Sequence, residues 1–172
     1  MAYSKGFNVA GELTQELLAP WKNISISTIH LTNMQKVSKC KADLYIESES
    51  RGKFYILKGV ELPRGVTLVK DVNFNNGPGG FGLYIKLTDG ATFTLTGSID
   101  VTGTNVNVPG SGTAFLSELS TGDEVVISGS TRTIATITSD TAATVTAAFD
   151  GDLANDTTPD CNPTALVDVI IN

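Results

Sequence analysis

Leu166-Val167-Asp168-Val169-Ile170-Ile171-Asn172 is the stretch on which the fold turns. β-Branched and other apolar residues dominate it, so it reads as a buried strand. It follows an acidic, Thr-rich segment with no comparable core and stands far from the strands that share its character. The expected partner is Phe81-Gly82-Leu83-Tyr84-Ile85-Lys86-Leu87. That pairing makes everything between about Thr92 and Pro163 an insertion into the first domain, at a hairpin tip where insertion is tolerated.

Working outward, the rest of the chain carries the same period of two. From Asn23, Ile24, Ile26, Thr28 and His30 alternate with Ser25, Ser27, Ile29 and Leu31. Residues 41–47 place Ala42, Leu44 and Ile46 on one face and Asp43 and Tyr45 on the other, as the antiparallel partner of the preceding strand. A third strand starts at Phe54 and runs through Val60 and Leu62, Pro63-Arg64-Gly65 makes a tight turn, and residues 66–69 are the fourth. Residues 73–80 read as a loop, because Gly77-Pro78-Gly79-Gly80 cannot hold a ladder. In residues 81–87, Leu83, Ile85 and Leu87 share a face opposite Tyr84 and Lys86.

Composition changes near Asp89-Gly90. Short alternating runs follow at about ten-residue intervals, with Gly129-Ser130 as a hairpin turn and one helical turn over residues 115–119 that Thr113 is placed to cap. Four or five short strands over this stretch make a small barrel or sandwich. Residues 150–162, acidic and without apolar periodicity, read as a return linker. The expected fold is all-β: an N-terminal arm (1–22), a β-sandwich (23–91 plus 164–172), and an inserted small β-barrel or sandwich domain (92–163). In the arm, residues 12–18 fit a helical turn or an extended segment equally well, and Pro20 ends either.

At 172 residues with 41% hydrophobic content, the chain can build one ordinary core or two small ones. No run approaches the roughly 20 apolar residues of a membrane span. Met-Ala-Tyr-Ser-Lys-Gly lacks the order of a signal peptide, so the protein is expected to be neither membrane-bound nor secreted. Net charge is −6, unevenly spread. Residues 1–91 hold 11 Lys or Arg against 8 Asp or Glu (+3), whereas residues 92–163 hold Arg132 against 9 acids (−8). The acidic part would repel phosphate, and the mildly basic part is a solvated face, so nucleic acid is not an expected partner.

Little in the sequence supports chemistry. His30, the sole His, lies within a strand beside Ile29 and Leu31 and is expected to be structural. Cys40 and Cys161 are expected to be free thiols, since two Cys and one His build neither a zinc site nor a disulfide framework. Asp150, Asp152, Asn155, Asp156 and Asp160 do not fit a calcium loop, which needs Gly at the sixth position and Glu at the twelfth, where Asn155 and Cys161 stand. Gly77-Pro78-Gly79-Gly80 lacks the Lys and Ser/Thr of a phosphate loop, and Gly110-Ser111-Gly112 reads equally as a turn. No catalytic residue, cofactor or metal is expected.

Contact residues are easier to nominate. Tyr45, Tyr55 and Tyr84 are placed to share the outer face of one sheet, either as an anchor for a partner or as cross-strand packing. Leu17, Leu18 and Trp21 are the contact candidates of the arm.

Two stretches resemble phage virion proteins. The segments Ile29-His30-Leu31-Thr32-Asn33, Ala42-Asp43-Leu44-Tyr45-Ile46, Phe54-Tyr55-Ile56-Leu57-Lys58 and Leu62-Pro63-Arg64-Gly65-Val66-Thr67-Leu68-Val69 are similar to a small β-sandwich family among structural proteins of tailed phages, especially of marine and cyanobacterial hosts. Its members often end in a strand like Val167-Asp168-Val169-Ile170-Ile171. Residues 108–123, continuing through 134–141, resemble a small β module of phage tail, fibre and capsid-associated proteins. The resemblance covers roughly residues 24–172 and carries no reactive residue. It implies a non-enzymatic virion protein, assembled in the host cytoplasm and present as a homo-oligomer or in many copies on the particle. The first expectation is a capsid decoration or cement protein bound to the major capsid protein. The alternatives are a neck, tail or baseplate component acting as a fibre adaptor, and a carbohydrate-binding module that turns residues 92–163 to the host surface.

Overall fold

The computed structural model describes residues 3–77 and 79–172, and it is all-β apart from one short helix. The chain forms two compact units. The first comprises the residues up to Gln35, Lys39–Asp89 and Ala165–Asn172; the second comprises Lys36–Ser38 and Gly90–Thr164.

The first unit is built from β1 (Lys5–Ala10), β2 (Thr14–Leu18), β3 (Ser25–Asn33), β4 (Cys40–Ser48), β5 (Gly52–Leu62), β6 (Thr67–Asn75), β7 (Gly82–Thr88) and, from the far end of the chain, β16 (Leu166–Ile171). These make two four-stranded antiparallel sheets, ordered β1-β16-β3-β6 and β2-β7-β4-β5. Their inner faces share one core that includes Ile29, Leu31, Leu44, Leu83, Ile85, Val167 and Val169. The unit is a β-sandwich, with β16 in the interior of one sheet.

The partners of β16 differ from expectation. It pairs with β1 (Val169 opposite Phe7) and with β3 (Val169 opposite Leu31), whereas β7 pairs with β2 and β4 in the other sheet. Nor are β3 and β4 a hairpin. The chain changes sheet at every connection within this unit except β4 to β5, so neighbours in sequence face each other across the core instead of bonding edge to edge. The alternation that marks each strand reports which side chains point inward and carries no information on which strand lies alongside.

The N-terminal arm is likewise two strands of the sandwich. β1 and β2 close opposite sheets, and the helical alternative for residues 12–18 does not occur. Leu17 and Leu18 are 2% and 4% exposed, so they belong to the core and cannot serve as contact residues. Two successive inward residues break the period of two. A bulge accounts for this: Glu16 lies opposite Tyr84 and Leu18 opposite Leu83, leaving Leu17 as the extra residue. A second bulge resets β3, where the amides of Ser27 and Thr28 both donate to the Asn172 carbonyl (2.7 and 3.1 Å). Ile26 therefore points inward on one side of the irregularity and Ile29 and Leu31 on the other. β6 runs on to Asn75, through part of the expected loop, as an edge strand with exposed and half-buried residues in alternation.

The second unit contains β8 (Phe93–Thr94), β9 (Ser98–Val101), β10 (Asn107–Ser111), α1 (Phe115–Glu118), β11 (Glu124–Ile127), β12 (Ser130–Ser139), β13 (Ala142–Val145), β14 (Leu153–Asp156) and β15 (Asp160–Asn162). Its eight strands form one antiparallel sheet, ordered β14-β9-β10-β13-β12-β11-β15-β8, around a core of its own centred on Phe115, Phe149, Leu119, Ile99 and Val125. Ser128 and Gly129 have φ of 47° and 82°, as a two-residue hairpin turn between β11 and β12 requires. The turn is thus one residue earlier than expected. Thr113 does not cap α1; Asp140, from the β12–β13 turn, accepts from the amides of Phe115 and Leu116 through its carbonyl and carboxylate (both 3.1 Å).

The return linker expected over residues 150–162 is also structured. β14 pairs with β9, β15 pairs with β11 and β8, and Cys161 is fully buried. The acids hid these strands because they anchor backbone and neighbouring hydroxyls at the surface. Asp156 accepts from the amides of Ser128 (2.6 Å) and Thr158 (2.9 Å), and Asp160 from the Thr94 hydroxyl (2.8 Å).

Candidate functional site

The outer face of the β2-β7-β4-β5 sheet gathers the three tyrosines in one row across the strands. Tyr45 lies opposite Tyr84 on one side and Tyr55 on the other. Tyr45 and Tyr84 stack with ring centroids 5.6 Å apart, and Tyr45 meets Tyr55 at the same distance with a tilt. The Lys53 ammonium stands 4.1 Å above the Tyr45 ring, and that of Lys58 stands 4.9 Å above Tyr55. Being central, Tyr45 is only 4% exposed; it is cross-strand packing and not a contact residue. Tyr55 is exposed and Tyr84 half-buried. The Tyr84 hydroxyl reaches the Glu16 carboxylate at 3.4 Å, and burial first, then the nearby Glu16, Glu47 and Tyr45, push its phenol above the usual range.

Trp21, 70% exposed, is the most prominent of the contact candidates. Its position is fixed from below. Asn76, fully buried, donates to the Ala19 carbonyl (2.6 Å), accepts from the Ile24 amide (2.9 Å), and sends its own amide to the Ile24 carbonyl (3.1 Å). One asparagine thereby clamps both ends of the loop that carries the indole. The ring lies against Gly80, where an added Cβ would come within 2.1 Å of it, so only glycine fits there. Beside Trp21 opens a groove of about 690 Å³, lined also by Glu47, Glu49, Ser50 and Tyr84. The sequence named Trp21 and Tyr84. It had no signal for Asn76, a loop polar residue like many others, nor for the two glutamates, which sit near the turn between β4 and β5.

On the opposite sheet, His30 lies in a row between Ile170 of β16 and Val69 of β6, both exposed. The thiols are buried: burial, then the neighbouring Asp89 carboxylate, pushes Cys40 up to about 11, and burial with Asp123 and Glu118 pushes Cys161 higher still. Protonated thiols are poor nucleophiles. Among the described residues no group of three or more His, Cys, Asp or Glu could hold a metal ion, and no helix is long and apolar enough to cross a membrane. The acids of the rejected calcium loop are dispersed, with Asp150 paired to Arg132 at 3.0 Å.

Fold and surface together define an all-β protein of two compact units with an aromatic groove on the sandwich unit. Comparison with protein-family models, with curated proteins and with solved structures finds no match to this chain.

Proposed function

We propose that this chain is a non-enzymatic structural protein of a tailed-phage virion, a capsid decoration or cement protein that docks through its β-sandwich. The observation that carries the reading is where apolar surface is left open. Among the described residues, eight of the ten exposed large hydrophobics, Leu13, Trp21, Met34, Phe54, Tyr55, Val66, Val69 and Ile170, belong to the sandwich unit; Val106 and Leu116 belong to the other. Surface of that kind is what a docking unit offers to a partner. The second unit combines the acidic stretch with few such side chains, which suits a part facing solvent. The resemblance of residues 29–69 and 108–141 to phage virion modules supplies the setting, and the exposed Ile170 and Val69 on either side of His30 offer the major capsid protein apolar surface on the β1-β16-β3-β6 sheet.

Copy number tests the assignment. Quantitative mass spectrometry of purified particles is expected to find the chain in roughly the numbers of the capsid protein's symmetry-related sites, hundreds per particle. A small multiple of three or six would move the protein to the neck, tail or baseplate as a fibre adaptor. Absence from particles would overturn the virion reading.

A further inference from the structure

We propose that the groove beside Trp21 is a binding site for a neutral saccharide. The inference is independent of the virion assignment and concerns the sandwich unit, not residues 92–163. In that stretch the only rings are Phe93, Phe115 and Phe149, and Phe115 and Phe149 are fully buried in the core of the second unit. The sandwich supplies what they cannot.

Three features converge. First, the indole is exposed yet held: Trp21 has a φ of 64°, a left-handed conformation unfavourable for a bulky residue, and buried Asn76 pins the loop on both sides of it. A ring fixed before binding loses little freedom when a ligand stacks on it. Second, the groove next to it is lined by Glu47, Glu49, Ser50 and Tyr84 as well as by Trp21, so hydrogen-bonding residue types stand beside the apolar indole. A pyranose has a matching division, with an apolar face of C–H groups for the indole and a rim of hydroxyls that donate to carboxylates and exchange hydrogen bonds with a serine. Third, the charge selects among ligands. Glu47 shares its charge with Lys53 at 3.8 Å and Arg51 reaches Gly79, but the described residues that line the groove include two carboxylates and no cation. Uronic, sialic and sulfated sugars therefore find no partner in it, and the mixed lining does not suit a purely apolar guest.

The sole tryptophan of the chain reports directly on the site. Full-length protein is titrated with maltohexaose, cellohexaose, mannohexaose and chitohexaose while Trp emission is followed, with dextran sulfate as the anionic control. At least one neutral oligomer is expected to give a saturable change, and dextran sulfate none. By calorimetry with that oligomer, Trp21→Ala is expected to weaken binding at least ~10-fold, and Glu49→Gln to weaken it measurably with an unchanged melting temperature. Glu49→Gln decides the matter should Trp21→Ala fail to fold. No saturable change across the neutral panel, or equal affinity in the variants, overturns the proposal.

Discussion

Val169→Asp is expected to unfold the sandwich unit and leave the second unit folded. Val169 is fully buried at the centre of β16, opposite Phe7 on one neighbour and Leu31 on the other, with its side chain in the shared core. Losing its apolar burial costs about 1.5–3 kcal/mol. Placing an unpartnered carboxylate there adds a desolvation penalty, which brings the total to at least ~4 kcal/mol. A domain holds only about 5–15 kcal/mol in all. The effect is readable by unit, because Trp21 lies in the sandwich: its fluorescence should report an unfolded environment while the amide spectrum of Gly90–Thr164 stays dispersed. Simultaneous collapse of both units would mean that they do not have separate cores.

Phe115→Ala is the converse. Phe115 is fully buried in the second core, and α1 is held in place by Asp140. Truncating a buried Phe leaves a cavity and costs about 3–5 kcal/mol. The calorimetric transition of the second unit should fall steeply, and the transition followed by Trp21 fluorescence should not move. A drop in both would again join the two cores into one.

Much of the architecture was legible in the residues, and the errors have a common cause. Alternation in β7 and β4 told correctly which side chains point inward, as Leu83, Ile85 and Leu87 show against Lys86. It could not tell that β7 and β16 belong to different sheets, because an antiparallel sandwich whose chain alternates between layers presents the same pattern as a meander. The Leu17-Leu18 doublet looked like a helix or an arm for a related reason: a bulge places consecutive residues inward, and periodicity reads that as a break in the strand. In β14 and β15 the four Asp and Asn residues outnumber the three apolar ones, and Leu153 and Cys161, which pack on the core, lie in strands too short to show a period. At the candidate site Trp21 was visible as an aromatic outside the alternating runs. Its clamp, Asn76, lies 55 residues away in sequence and becomes recognisable only through its hydrogen bonds.

The position of β16 has a consequence for assembly. The first sheet lacks an interior strand until residues 166–171 have emerged, so β1 has no partner within it until then. The second unit, encoded before them, has all its strands by that time. The two-sheet topology therefore depends on what lies beside Val169, and cross-strand NMR contacts in the uniformly labelled full-length protein measure this directly. Main-chain NOEs from Val169 to Phe7 and to Leu31 are the expected result; main-chain NOEs from Val169 to Ile85 would instead restore the β7–β16 hairpin and contradict the two-sheet topology described above.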